Sequence, residues 1–398
     1  MRQSALLILT LLWLAACKQD PKAPAPSSSA PPAAEAQPAT SAAQPDVYWY
    51  VALVDKLNLR DQPNKAGKVL AQFAEAEIIE GTGKVSANKE DAVLRGISWT
   101  EPYVEIKYPT AGQPTGWAYS AALLPVFVGT RADAPDLGQL GKLSTHLKGL
   151  NTKNLESGKK AWDYVRTQMS AITPSTADGA FVMLEHFLSR MEREGEYYRI
   201  TDTYEWTTED FEAIGKRKYD INKRPTLKPL LESGFMLEEG EGMVFPVVDW
   251  NRLRDFFSAK VTPAMAAYIQ KEAADRDKPA WSDGGVIISL EDLADRGAWW
   301  EKFNRDYPHF LMQRGSREHE RWMRQVLVGG ANNTPLYDYD TKAVSEEARK
   351  AWAYIQQKYP GTELARTTQE IADLCASEGW KCGPKADAYL KKFNESNQ

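Results

Sequence analysis

Cysteine, histidine and long apolar runs are all scarce in this chain of 398 residues, which carries 3 cysteines and 4 histidines. A zinc centre needs several His, Cys or carboxylate ligands converging on one point. His146, His186, His309 and His319 stand singly, and neither Glu185-His186 nor Glu318-His319-Glu320 has a second histidine at i+4. A metallopeptidase or zinc amidase is therefore not expected, nor is any metal or other cofactor. A single long apolar run occurs, at the N-terminus, and nothing after it approaches the roughly 20 apolar residues of a spanning helix. Strong charge is missing too. The 49 basic and 54 acidic residues leave a net charge of -5, without the basic footprint of a nucleic-acid binder. What is plentiful is core material. The chain is 43% hydrophobic, with 13 tryptophans and 17 tyrosines, enough for two or three folded domains at this length.

Residues 1–16 read as a signal peptide. Arg2 precedes an apolar stretch from Ala5 to Ala16, which as a helix is roughly 18 Å long against about 30 Å for a bilayer core. That length suits export and not spanning. Leu14-Ala15-Ala16-Cys17 resembles the bacterial lipobox. The resemblance implies cleavage before Cys17 and its lipid modification, and two or more acyl chains suffice for stable anchoring. The alternative is an ordinary secretory peptide with a chance cysteine. Lys18 follows where an Asp would mark inner-membrane retention in enteric-type bacteria. The implied address is the cell envelope, at the outer membrane facing the periplasm. In an exported chain the remaining pair, Cys375 and Cys382, reads as a disulfide; the alternative is two free thiols.

After Cys17, residues 18–46 are rich in Pro, Ala and Ser and hold no aromatic. Such a segment buries too little apolar surface to offset its chain entropy. The 17–46 stretch is a tether, spanning roughly 30 Å as a loose coil and about 90 Å as polyproline II.

From Val47 short strands alternate with turns: Val47–Val51, Leu57–Arg60, Val69–Phe73, Glu77–Glu80, Ile97–Tyr108 and Trp117–Ser120. That rhythm argues a small all-β barrel over 47–128. Asn58-Leu59-Arg60 with Pro63, Trp99 ahead of Tyr103-Val104-Glu105-Ile106, and the closing Gly116-Trp117-Ala118-Tyr119-Ser120 resemble the bacterial SH3 domain over about 80 residues. Two departures stand out. Lys84–Arg95 is a long charged stretch, and Glu75-Ala76 replaces a position where Gly is common. The resemblance implies an SH3-like barrel that binds cell-wall peptide or glycan, or an envelope protein, without catalysis of its own. Tyr48, Tyr50, Trp99, Trp117 and Tyr119 are the candidate binding residues, since aromatic faces stack on peptides and sugars. The competing reading is that they fill a tiny core. Alternation places Tyr48 and Tyr50 on one face of the first strand and Trp49 on the other. With Val47 and Val51 beside Trp49, the tyrosines are expected toward solvent or ligand.

Residues 129–398 read as a mainly α-helical domain with a short β-hairpin. Thr173-Pro174 and Thr262-Pro263 are helix starts. Ser289 to Asp292 and Thr367 to Glu370 have capping-box form. Phe235–Leu237 and Met243–Val248 make the hairpin. Chemistry is sparse here. Cys375 lacks the sequence setting and the later histidine of a cysteine peptidase. Glu232-Ser233-Gly234-Phe235 is similar to the Glu-Ser-x-Phe of lytic transglycosylases, which would make Glu232 a general acid, yet the Gly-rich segment that should follow is missing. Lys216-Arg217-Lys218 with Lys223-Arg224 is a basic cluster, either for anionic polymer or as a solvated helix end. Asn332-Asn333-Thr334 is either a ligand loop or a connector. The expectation is a binding protein of the envelope, with a glycan-cleaving enzyme or a structural subunit of an envelope complex as alternatives.

Overall fold

The computed structural model describes residues 45–110 and 113–396, so the leader, Cys17 and nearly all of the tether lie outside the described residues. The first part is a seven-stranded antiparallel sheet: β1 (Val47–Ala52), β2 (Leu57–Arg60), β3 (Val69–Phe73), β4 (Ile78–Leu94), β5 (Ile97–Thr110), β6 (Gln113–Tyr119) and β7 (Leu123–Gly129). The spatial order is β3-β2-β6-β5-β4-β1-β7. One face closes over a small core of Ala52, Leu57, Leu59, Ile79, Val104, Ile106 and Ala118. These are the alternate positions of apolar strands, which pleating sends to one side.

The charged stretch that departs from the SH3 pattern is the end of β4. It continues as one arm of a long hairpin, with Asp91 opposite Thr100 and Leu94 opposite Ile97. Arg95 and Gly96 both take positive φ, 50° and 80°, as the tightest hairpin turns require.

The rest of the chain is helical apart from two short hairpins. After α1 (Leu137–Lys148), α2 (Glu156–Gln168), α3 (Pro174–Glu194), α4 (Tyr198–Thr201), α5 (Thr208–Gly215) and α6 (Lys228–Glu232) comes the hairpin β8 (Phe235–Gly240) and β9 (Met243–Val248). Then follow α7 (Trp250–Phe257), α8 (Pro263–Asp277), the two-residue strands β10 (Trp281–Ser282) and β11 (Gly285–Val286), α9 (Leu290–Asp306), α10 (Gln313–Gly329), α11 (Glu346–Lys358), α12 (Glu363–Ser377) and α13 (Pro384–Ser396). Thr173, Thr262 and Ser289 cap α3, α8 and α9 as their sequence implies. The Thr367 capping box does not form. α12 starts a turn earlier, where Thr362 accepts from the Ala365 N–H at 3.0 Å. Thr367 is buried inside the helix and donates to the Glu363 carbonyl at 2.9 Å. Leu364, packed into the helical core, draws that extra turn into the helix.

A single apolar core runs through the helical part from α1 to α13, and it does not stop at the sheet. Val51 and Val126 belong to it, with Trp49, Ile78 and Leu124 packed on its edge. The face of β1 turned away from the small core is therefore covered by helices, and α3 lies against β7. Cys375 and Cys382 are both buried with their sulfurs at bonding distance, 2.17 Å. They clip the end of α12 to the start of α13. No helix among the described residues is long and apolar enough to cross a membrane.

Candidate functional site

The five aromatic candidates do not converge on one groove. Tyr50 packs on the small core of the sheet, its ring against the backbone of Gly81, and burial pushes its hydroxyl up to about 12. Tyr48 lies against Gly83 in the same way. The expectation that these tyrosines point to solvent fails for Tyr50 but not for Tyr48, which is half-buried beside Gly83 and outside the sheet core, and Trp49 does not fill that core either. Tyr50 faces the sheet core, and Trp49 faces the helices. Strand alternation gave the two faces correctly but not that a second body covers the outer one.

Tyr119 is buried, with its hydroxyl 2.7 Å from Glu90 O and 3.0 Å from Trp99 O, and it accepts from the Glu101 N–H at 3.1 Å. It holds both arms of the β4–β5 hairpin. Tyr103, packed edge-on against Tyr119 at 5.4 Å, donates to the Glu90 carboxylate at 3.0 Å. Trp99 is half-buried under the Arg314 guanidinium, 5.2 Å from the ring centroid, and Arg314 also pairs with Glu101 at 2.7 Å. That hairpin thus joins the sheet to the first turn of α10. Trp117 is half-buried on the face away from the small core, in register with Arg60 and Glu105.

Glu232 is exposed at the end of α6, 4.0 Å from Lys228. Its three followers have packing roles. Ser233 is buried and donates to Leu155 O at 2.7 Å. Gly234 takes φ 96° against the Trp162 indole, where an added Cβ would come within 2.2 Å of Nε1. Phe235 is in the core. The basic cluster is largely consumed locally. Arg224 pairs with Asp210 at 3.0 Å and Lys216 with Glu212 at 2.8 Å, while Arg217 donates to Leu237 O. The Asn332–Thr334 loop is pinned to the β10–β11 hairpin: Thr334 accepts from Val286 N–H at 2.8 Å, and Asn333 N–H donates to Gly284 O at 3.1 Å.

Sequence reasoning missed a charged network between α3, α8 and α10. Glu272 is buried, 3% exposed, and its Oε1 lies 2.5 Å from Nε2 of His319. The His319 ring stacks on Trp300 at 4.8 Å, and Arg276 stands 3.5 Å from the other carboxylate oxygen. Burial alone would raise the Glu272 carboxyl, but His319, Arg276 and Tyr268 outweigh it and hold it below the usual range. On α3, Glu185 accepts from Ser189 at 2.7 Å and burial pushes it up. The sequence traces of this network were His319 and Glu185, the latter named only beside His186; the partner of His319 lies 47 residues away. His186 faces the sheet, and burial with Arg190, Arg193 and Arg95 around it pushes it down to about 3, which keeps it neutral. Among the described residues no group of three or more His, Cys, Asp or Glu is placed to hold a metal.

Among the described residues, a shallow groove of about 690 Å³ opens where the sheet meets α1 and α2. Ile78 of β4 forms one wall, and the Tyr164 ring of α2, stacked on His146 at 4.2 Å, forms the other. Gly138 and Gly141 lie between, with Lys142 at the rim. The groove is positioned by α1, which is bolted to the turn before β4: Ser144 Oγ donates to Ala76 O at 3.0 Å and Lys148 Nζ to Glu75 O at 3.1 Å. Its chemistry is an apolar floor, two rings and one cation, which suits an extended chain segment better than a small polar substrate.

Comparison of the chain with protein-family models, curated proteins and solved structures finds no significant match.

Proposed function

We propose that this chain is an exported binding protein, anchored through an acylated Cys17, whose SH3-like sheet and helical body act as one unit in recognising cell-wall material or an envelope protein. The observation that carries the reading is the groove between the sheet and α1. There residues of both parts meet solvent together. The SH3 resemblance is supported by where its residues fall. Leu59 of the Asn-Leu-Arg motif is fully buried in β2, Val104 and Ile106 line the same core from β5, and Gly116–Tyr119 form the end of β6. A buried cysteine pair at bonding distance accords with an oxidising compartment.

Two assays test this. Membrane-extracted full-length protein is expected to be retained on purified sacculi or on detergent-solubilised envelope proteins, and Tyr164→Ala is expected to weaken that retention at least several-fold. Equal retention of both proteins removes the groove from the proposal. Cys17→Ala is expected to abolish acylation, seen by mass spectrometry, and unchanged acylation removes the anchor. Sustained muropeptide release from sacculi, lost in Glu232→Gln, would favour the enzymatic alternative.

A further inference from the structure

We infer that the resident occupant of this groove is the chain's own tether, specifically the Pro/Ala segment from Pro31 to Gln44, which lies outside the described residues. The inference rests on the same groove as the binding reading, with the tether as the segment that a wall or envelope ligand displaces, and it does not depend on lipid attachment.

Distance comes first. Tyr48 pairs with Gly81 and Val51 with Ile78, so the groove wall at Ile78 is three residues along β4 from the point beside Tyr48. The described chain begins three residues before Tyr48, at Pro45. At about 3.3 Å per residue, the tether leaves the sheet roughly 20 Å from Ile78. Fourteen residues of polyproline II span about 43 Å at 3.1 Å each, enough to turn back and run the length of the groove.

Chemistry comes second. Extended Pro-rich segments dock on aromatic-lined grooves because their shape is preformed and little entropy is lost. Tyr164 and His146 supply the rings. His146 offers a ring and no hydrogen bond here, because its Nε2 atom is shielded from the groove. Lys142 has no ion pair among the described residues, and the only charged residue between Lys22 and Asp46 is Glu35, inside the segment.

Gly141 supplies the floor. A glycine inside a helix costs about 1 kcal/mol relative to Ala, and α1 carries that cost at Gly141, where packing does not ask for it: a Cβ there would meet only Ile78, at an ordinary 3.8 Å. Gly138, in the first turn, is explained by the cap, since a Cβ there would crowd the Asp136 carboxylate at 3.2 Å. Together the two leave a floor without side chains, one turn long, on which a peptide backbone can lie.

The test uses full-length protein with the photo-crosslinker p-benzoylphenylalanine at Thr145, an exposed residue of the groove. After irradiation and trypsin, the crosslink is expected on the peptide spanning residues 23–56, with its attachment point between 31 and 44. Gly141→Leu fills the floor and is expected to cut that crosslink at least ten-fold, while circular dichroism and Tm stay level or rise. A crosslink yield unchanged by Gly141→Leu, or attachment anywhere outside 31–44, overturns the proposal. If Gly141→Leu lowers Tm, a second route decides. In protein with residues 31–44 replaced by Gly and Ser, a synthetic peptide of those residues is expected to suppress Thr145 labelling in trans, and failure to do so counts against docking. Retention of the same variants on sacculi is scored separately, so loss of the wall-binding reading and loss of the tether are told apart.

Discussion

Ala76 takes φ 73°, a left-handed conformation in which a Cβ crowds the following carbonyl at roughly 1–2 kcal/mol. The turn keeps it because its carbonyl is held by Ser144 and its neighbour's by Lys148. The position where glycine is common in the SH3 pattern is thus a position where this backbone asks for one. Ala76→Gly is expected to raise stability, by about 0.5–1 kcal/mol after the entropy of the freer unfolded chain is subtracted. A urea midpoint that falls would contradict the backbone assignment. The second residue-scale consequence concerns Glu272. Its folded carboxyl is held below the unfolded value, so the stability it contributes is complete above about pH 4.5 and is lost as pH falls through the folded value. Removing the imidazole leaves the buried carboxylate with Arg276 and Tyr268 but without its shortest partner, at about 1–3 kcal/mol for an unsatisfied buried acceptor. His319→Ala is expected to show that loss at pH 7, with most of it restored by adding Glu272→Gln. An additive double mutant would mean that the two groups do not interact.

Elements were legible in the sequence where their own residues decide them. Pro174 and Pro263 begin helices, Val-rich runs are strands, and the hairpin at 235–248 announces itself by its Glu-Gly turn. Elements decided by distant partners were not. The arm from Lys84 to Arg95 reads as a long charged stretch, and its pairing with β5, braced by Tyr119 and Tyr103 reaching Glu90, makes it a strand. The candidate site was less legible still. The groove depends on α1 docking against Ile78, and no periodicity in either segment names the other. The α12–α13 corner is the opposite case, since two cysteines seven positions apart announce a local clip. Closing so short a loop is worth roughly 2–3 kcal/mol in the chain-entropy account. Cys375→Ala with Cys382→Ala is expected to lose about that much. In the parent protein both thiols should resist alkylation without reductant, and labelling of either would refute the bridge.

At the scale of the whole molecule, the sheet and the helices share one core. Val51 and Val126 sit in it, and Arg314 ties α10 back to the β4–β5 hairpin. A separate barrel on a string would melt separately. This arrangement is expected to unfold in a single urea transition, with tryptophan fluorescence and far-ultraviolet circular dichroism superimposing. Two resolved transitions, the smaller one reporting the β signal, would show that the shared core contributes little coupling.

The covered outer face of β1 also sets an order of events. A chain threaded outward from its N-terminus presents residues 47–129 first, and its strands can pair as soon as β7 has emerged. Until α3 is also through, Trp49, Val51 and Val126 form an adhesive patch on a half-made molecule, the kind of transient surface that invites aggregation or chaperone capture. A chain arrested near residue 130 should therefore be sticky and protease-sensitive, while one arrested beyond residue 194 gains its cover. The molecule's vulnerable moment is set by the 65 or so residues of translation that separate a strand from the helix that shields it.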